Sequence, residues 1–242
     1  MLLLMVSPIC AAKILFLPIN MDSHVLLFSH LAVDLAHLGH VTRVVAPSNA
    51  RVPHFVEAEV DSGGNFSYTT YPAAADESYC NSRQFSAGVM RAALSQSSWE
   101  KFTVTTSVIQ EMFDHLESDC VSLLNHGDLM QDIRNGGYQF AVMDPFIPQC
   151  YYAIPYSMGI PYATLSLPVV TGIYRVPRLP SFAPLFGFAY TDRKNFFQRL
   201  TTFLVEYLLL LQFENKTTTY VERLAPDRPL LNANQLIQRV RS

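Results

Sequence analysis

Residues 13–47 read KILFLPINMDSHVLLFSHLAVDLAHLGHVTRVVAP, and this stretch decides the fold. Ile14, Leu15, Phe16 and Leu17 form an unbroken apolar run, the pattern of a strand buried on both faces. Pro18 cannot donate a ladder hydrogen bond and should end that strand. Asp22 and Ser23 suit the start of a helix, because their side-chain oxygens can accept from unpaired first-turn amides. Val25, Phe28, Ala32, Leu35 and Leu38 recur at helical spacing and predict its apolar face. Gly39 falls where a left-handed C-terminal cap is needed. Residues 41–46 form the next strand, closed by Pro47. Two strands joined through a helix should be parallel, with a right-handed crossover. The connecting loop delivers Ser23 and His24 to the helix start, at the carboxyl end of the first strand, where open α/β sheets place their ligands.

Working outward, an irregular stretch and a short strand at 66–71 come next, followed by small residues at 72–75. From 84 to 125 the pattern is mainly helical. A further short helix should end at Asn135-Gly136-Gly137, a strong turn signal. Residues 138–143 read as a third buried strand, with Asp144 just beyond it. Pro145 and Pro148 are suited to start a helix, which Pro155 should kink or end. Residues 161–166 read as another strand. The Pro-, Tyr- and Phe-rich segment 168–184 should be irregular, and Asp192 should cap a helix through Phe196, Leu200, Phe203, Leu204, Tyr207 and Leu211. No internal repeat is present. This order predicts an α/β domain with a mostly parallel sheet. The first loop has no GxGxxG, so the dinucleotide fingerprint is absent there.

The chain has 242 residues, 50% apolar and 15% charged, enough to bury a sizeable core. A net charge of −3 offers no electrostatic case for nucleic acid. Cys10, Cys80, Cys120 and Cys150 are widely spaced, with no CxxC and no His cluster, which argues against a metal site. Length argues against a disulfide framework. Residues 1–12, MLLLMVSPICAA, read as a short secretory signal, the rival being a ragged start to the first strand. Asn65 and Asn215 each open an N-x-S/T triplet and become glycosylation acceptors in that compartment. No segment reaches the ~20 consecutive apolar residues of a membrane span. The nearest, TFLVEYLLLLQF at 202–213, is interrupted by Glu206 and reads as a buried helix, with a membrane-facing helix as the alternative.

His24 and Asp144 are 120 residues apart (144 − 24), yet both are expected at carboxyl ends of parallel strands, at one rim of the sheet. A histidine held by a carboxylate is a competent general base for a hydroxyl. The carboxylate fixes the ring tautomer and stabilises the imidazolium as it forms. Against this stands the plain alternative of a polar first-turn residue and a capping aspartate. A Ser23-based hydrolase finds no GxSxG elbow, and neighbouring side chains at a helix start point apart.

Three segments, in this order, carry a family resemblance. KILFLP, DSH and LAxLGHxxxVxAP come first. YQFAVMDPFIPQCYYAIPYSMGIPYATLS follows, and then Thr191-Asp192-Arg193 before FFQRLTTFL. Together they span most of residues 13–213, and they resemble the UDP-glycosyltransferases of the UDP-glucuronosyltransferase-like family. The resemblance implies a GT-B fold, two Rossmann-like domains facing a cleft. Residues 13–225 would be its N-terminal, acceptor-binding domain and 226–242 a C-terminal tail, with the nucleotide-sugar-binding domain missing. It implies that His24 deprotonates the acceptor hydroxyl, that Asp144 is its partner, and that sugar passes from a UDP-sugar co-substrate to a small lipophilic hydroxyl-bearing acceptor with inversion. Neither a metal nor a resident cofactor is implied. Ser23 and Phe146 are candidates for contact with the acceptor, and the loop near Tyr174 for pocket lining. The endoplasmic reticulum, in its lumen or at its membrane, is the implied compartment. The sequence departs from the family in having Asp22 where many members carry Gly, and in lacking the donor signature. A chain of this kind should be weak or inactive alone. The alternatives are a non-catalytic binder of small lipophiles and a subunit that pairs with a full-length homologue.

Overall fold

The computed structural model describes residues 11–144, 150–165, 195–200, 202–204 and 219–231. A five-stranded, wholly parallel sheet runs in the order β3-β2-β1-β4-β5, built from β1 (Lys13–Leu17), β2 (Val41–Pro47), β3 (Phe66–Tyr71), β4 (Phe140–Met143) and β5 (Tyr162–Thr164). The order reverses between β1 and β4, which defines a topological switch point. The helices include α1 (Asp22–His37), α2 (His54–Asp61), α3 (Arg83–Leu94), α4 (Ser98–Asn125), α5 (Gly127–Asn135) and α6 (Cys150–Met158), with a 3-10 turn at Tyr79–Asn81 before α3. The chain thus has the α/β, Rossmann-like fold expected from its sequence.

Alternation along each strand sorts the core into two layers. Ile14, Phe16, Val44 and Val142 face α1 and α2 and pack with Phe28, Ala32 and Val56. Leu15, Leu17, Val45, Ala141 and Met143 face the other way, onto α4, α5 and α6, and pack with Met112, Leu116, Leu123, Ile133 and Tyr151. The central strand is covered on both sides, which is why it reads as a continuous apolar run.

Five expectations are corrected. Helix α1 starts at Asp22 with Met21 at the cap position and no side-chain cap, so neither Asp22 nor Ser23 caps it. Asp22 instead accepts from Asn81 Nδ2 at 3.0 Å, and backbone bonds from His24 and Val25 to the Met21 carbonyl close the first turn. Leu38 is 74% exposed, because the helix has ended and the chain is already turning at Gly39. The stretch after β2 contains α2, whose Val56 is buried against the sheet. Of the two outcomes expected at Pro155, a kink or an end, the end does not occur, and α6 continues to Met158. Tyr151, Tyr152, Ala153, Ile154 and Tyr156 are all buried around it, and that packing outweighs the ~3 kcal/mol cost of proline inside a helix. Finally, Cys120 and Cys150 form a disulfide, their Cα atoms 6.3 Å apart. Length argued against a disulfide framework, but one bridge requires only that α4 and α6 pack side by side on the same sheet face.

Residues 196–200 and 202–204 are helical, and the part of 202–213 that is described is not uniformly buried as expected. Thr202 is buried, while Phe196, Phe197, Leu200, Phe203 and Leu204 are exposed. Pro145, Pro148, the segment 168–184, Asp192, Glu206, Tyr207 and Leu211 lie outside the described residues. Among the described residues no helix is long and apolar enough to cross a membrane.

Candidate active site at the switch point

Strand β1 ends at Leu17, paired in register with Met143 of β4. The chains leaving these two strands diverge from the switch point, and each carries one polar side chain into it. Asp144 continues the alternation of β4. Ala141 and Met143 face α4–α6 and Val142 faces α1, so Asp144 falls on the α1 side. Its backbone amide reaches the Leu17 carbonyl at 3.4 Å, which keeps it beside the end of β1.

His24 comes from the first turn of α1. The buried stripe of that helix runs His24, Phe28, Ala32, Ala36, with Val25, Ser29 and Val33 beside it. The i, i+4 spacing therefore turns the His24 ring toward the sheet, while Ser23 is exposed. His24 Nδ1 pairs with Asp144 Oδ2, and the two residues are 4% and 0% exposed. Where the carboxylate is the acceptor, the proton lies on Nδ1 and Nε2 presents its lone pair. The arrangement can take a proton at Nε2 and balance the resulting imidazolium with the carboxylate.

A second polar node holds the β1 loop. Asn20 donates through Nδ2 to Asn49 Oδ1 at 2.8 Å and to Asp119 Oδ2 at 2.7 Å, and Ser78 Oγ donates to the Asn20 carbonyl at 2.7 Å. The other Asp119 oxygen accepts from the Ala74 amide at 2.9 Å. The loops after β1, β2 and β3 are thereby tied to α4. Below this node the hydroxyls of Tyr71 and Tyr151 meet at 2.7 Å. Burial leads in pushing both phenols well up; the paired Tyr151 and then Asp119 add to it at Tyr71, and Asp119 and Asp144 add to it at Tyr151, so both stay neutral. Sequence reasoning missed Asn20, Asn49 and Asp119. The available signal was a charge at Asp119 on the otherwise apolar α4 stripe of Met112, Leu116 and Leu123.

Of the other residues singled out, Phe146 and Asn215 lie outside the described residues. Asn65 is exposed in the turn entering β3, its carbonyl accepting from the Thr42 amide at 2.8 Å. Among the described residues no three His, Cys, Asp or Glu side chains gather as metal ligands would. Five of the remaining histidines have local contacts. His37 meets Glu59 at 3.1 Å, His40 Nδ1 accepts from the Ala12 amide, and His30 stacks on Phe55. His115 stacks on Tyr79, and His126 accepts from the Leu129 amide at the start of α5.

The sequence model of the UDP-glucoronosyl and UDP-glucosyl transferases matches residues 12–233. The chain belongs to this family. Similar curated relatives include the rat 2-hydroxyacylsphingosine 1-beta-galactosyltransferase, 27% identical over 196 residues, covering 78% of this chain and 32% of that protein. The bovine UDP-glucuronosyltransferase 3A1 is 27% identical over 201 residues, covering 81% of this chain and 35% of that protein. This UDP-glycosyltransferase chain therefore spans about one third of the length of the curated relatives it matches. Among solved structures, the glycotransferase of kitacinnamycin covers 94% of this chain and 44% of its own at 13% identity and a TM-score of 0.43. Phytolacca americana UGT2 complexed with UDP-2fluoro-glucose and pterostilbene covers 81% and 44% at 15% identity, also with a TM-score of 0.43.

Proposed function

We propose that this chain supplies the acceptor-binding half of a GT-B UDP-glycosyltransferase, with residues 13–225 as that domain, and that His24 is its general base. The observation that carries the reading is the buried His24–Asp144 pair at the switch point of the sheet. In the proposed step, His24 Nε2 removes the proton from the acceptor hydroxyl as its oxygen attacks the anomeric carbon of a UDP-sugar. The bond between that carbon and the UDP oxygen breaks, and UDP leaves from the opposite face, so the configuration inverts. Asp144 holds the ring tautomer and balances the imidazolium. No resident cofactor enters the scheme, and the UDP-sugar is a co-substrate. Its binding energy belongs to a second domain of the GT-B fold.

The acceptor is a small lipophile carrying a hydroxyl. The compartment is the secretory pathway, at the endoplasmic reticulum, with residues 1–12 as the leader. The Cys120–Cys150 bridge supports that setting, because disulfides persist where the milieu is oxidising.

The test is transfer from UDP-glucose, UDP-galactose and UDP-glucuronic acid to phenolic acceptors by the chain joined to a donor domain. His24→Ala is expected to cut kcat by about 10²–10⁴ with the fold intact by circular dichroism. Asp144→Asn should also lower kcat strongly while acceptor KM moves little. Retention of most activity in His24→Ala removes the base assignment.

A further inference from the structure

Helices α3 and α4 pack as an antiparallel hairpin, and a cleft of about 460 Å³ opens between them. That volume falls within the range of small-molecule sites. Gly88 and Val108 set the closeness of the helices, since a Cβ on Gly88 would sit 2.5 Å from Val108 Cγ2. Ala87, Gly88, Val104 and Val108 line the middle of the cleft and give it an apolar floor.

The two ends differ. At one end Glu111 is held by three donors. Tyr79 Oη and Gln84 Nε2 reach its Oε2, each at 2.8 Å, and Ser107 Oγ reaches Oε1 at 3.3 Å. The hydrogen bond from Tyr79 leads the causes that hold this carboxyl below the usual range, so it is an anion. Oε1 carries only the long bond from Ser107 and keeps accepting capacity. His115, one turn on, stacks flat on Tyr79 at 4.6 Å and holds that ring in place. At the other end Arg91 is 70% exposed and only 3.9 Å from Glu100 outside the cleft, so it is drawn to another carboxylate. Seven residues separate Gln84 from Arg91, a helical rise of about 10 Å. The charge held in place by hydrogen bonds is therefore negative and lies at one end of an apolar trough, with the exposed Arg91 at the far end. That end is also the one nearer the switch point, because Ser78 donates to the Asn20 carbonyl and Asn81 donates to Asp22, two residues before His24.

We propose that this cleft binds small amphiphilic amines, with the ligand's ammonium on Glu111 and its apolar body along Gly88, Val104 and Val108. A carboxylate already oriented by three donors gives a charge-assisted contact without reorganising. That the bound amine is also a sugar acceptor rests on the glycosyltransferase reading above; the binding site itself does not.

Calorimetric titration of the 242-residue chain with serotonin, 5-hydroxyindole and 5-hydroxyindole-3-acetate tests this, because one ring and hydroxyl are presented with an ammonium, no charge and a carboxylate. Serotonin is expected to bind best and the acetate not at all. Glu111→Gln keeps the size and the acceptor, and should weaken serotonin about tenfold or more while leaving 5-hydroxyindole within about twofold. Ala87→Phe, which fills the trough from an exposed helix position, should block both, and it decides the matter should Glu111→Gln fail to fold. No serotonin binding by the folded chain, or equal serotonin affinity in Glu111→Gln and wild type, overturns the inference. Its failure leaves the His24 reading standing, since that is measured as transfer in the completed enzyme. Ammonium-dependent binding together with His24-independent transfer would do the reverse.

Discussion

His24 and Asp119 are both buried polar side chains, but each is held by a different kind of partner. His24 sits on the buried stripe of α1 and meets a carboxylate from the neighbouring strand end. Asp119 meets neutral amides, taking Asn20 Nδ2 and the Ala74 backbone. Asp119→Ala would leave Asn20 Nδ2 with Asn49 as its remaining acceptor and release the part-buried Ala74 amide, and a buried donor left unpaired costs about 1–3 kcal/mol. Urea unfolding should show a loss in that range, and Asp119→Asn should lose less. Tyr68 offers the opposite case. Its hydroxyl is buried without a hydrogen-bond partner, and burial pushes the phenol up from 10.0 to about 12. Tyr68→Phe should therefore raise stability at pH 7 by about 1 kcal/mol. The neutral phenol's contribution is complete below the unfolded value near pH 10 and is lost as pH rises toward 12. Tyr71 and Tyr151 shift in the same direction. Thermal melts from pH 8 to 12 should show stability falling above pH 10, less steeply in Tyr68→Phe. None of these partners could be read from spacing. Asn20, Asn49 and Asp119 come from three separate segments, and only the packed fold brings them into hydrogen-bond range.

At the scale of elements, α1 shows where local rules hold and where they yield. Its C-terminus follows them. Gly39 adopts φ +92°, its amide bonds the Ala36 carbonyl at 2.9 Å, and the His40 amide bonds the Leu35 carbonyl at 3.0 Å, which together make a Schellman cap. A Cβ at Gly39 meets nothing within 4 Å, so the cost of Gly39→Ala is backbone strain alone, about 1–2 kcal/mol. A drop in the urea midpoint at constant m would report it. The N-terminus of α1 departs from the rule, because Asp22 is engaged by Asn81 across the loop. Helix α6 departs too. Pro155 argues for a break, yet the burial of its neighbours carries the helix through to Met158. Helix α2, by contrast, has a single buried residue, Val56, which leaves too faint an apolar period to be found in sequence.

Across the whole molecule, the disulfide ties α4 to α6 over a separation of 30 residues. Closing a loop of that length in the unfolded chain is worth about 3–4 kcal/mol. Cys120→Ala with Cys150→Ala, or reduction of the wild type, should lower stability by up to that amount relative to the oxidised wild type. The same bridge anchors α6 six residues after Asp144. Mild reduction is therefore expected to broaden the NMR signals of His24 before the sheet unfolds.

The sequence by itself determined the strands, the crossover helix and the parallel sheet, because these follow from local periodicity and turn chemistry that each segment carries alone. It also singled out His24 and Asp144, since carboxyl ends of buried strands are legible from where the apolar runs stop. Their meeting was decided only by the tertiary structure, through the β1–β4 pairing in register and the alternation that puts Asp144 on the α1 face. So were the Cys120–Cys150 bridge, the Asn20–Asp119 node and the α3–α4 cleft. Each depends on contacts between residues dozens of positions apart, and such contacts form only when the layers pack.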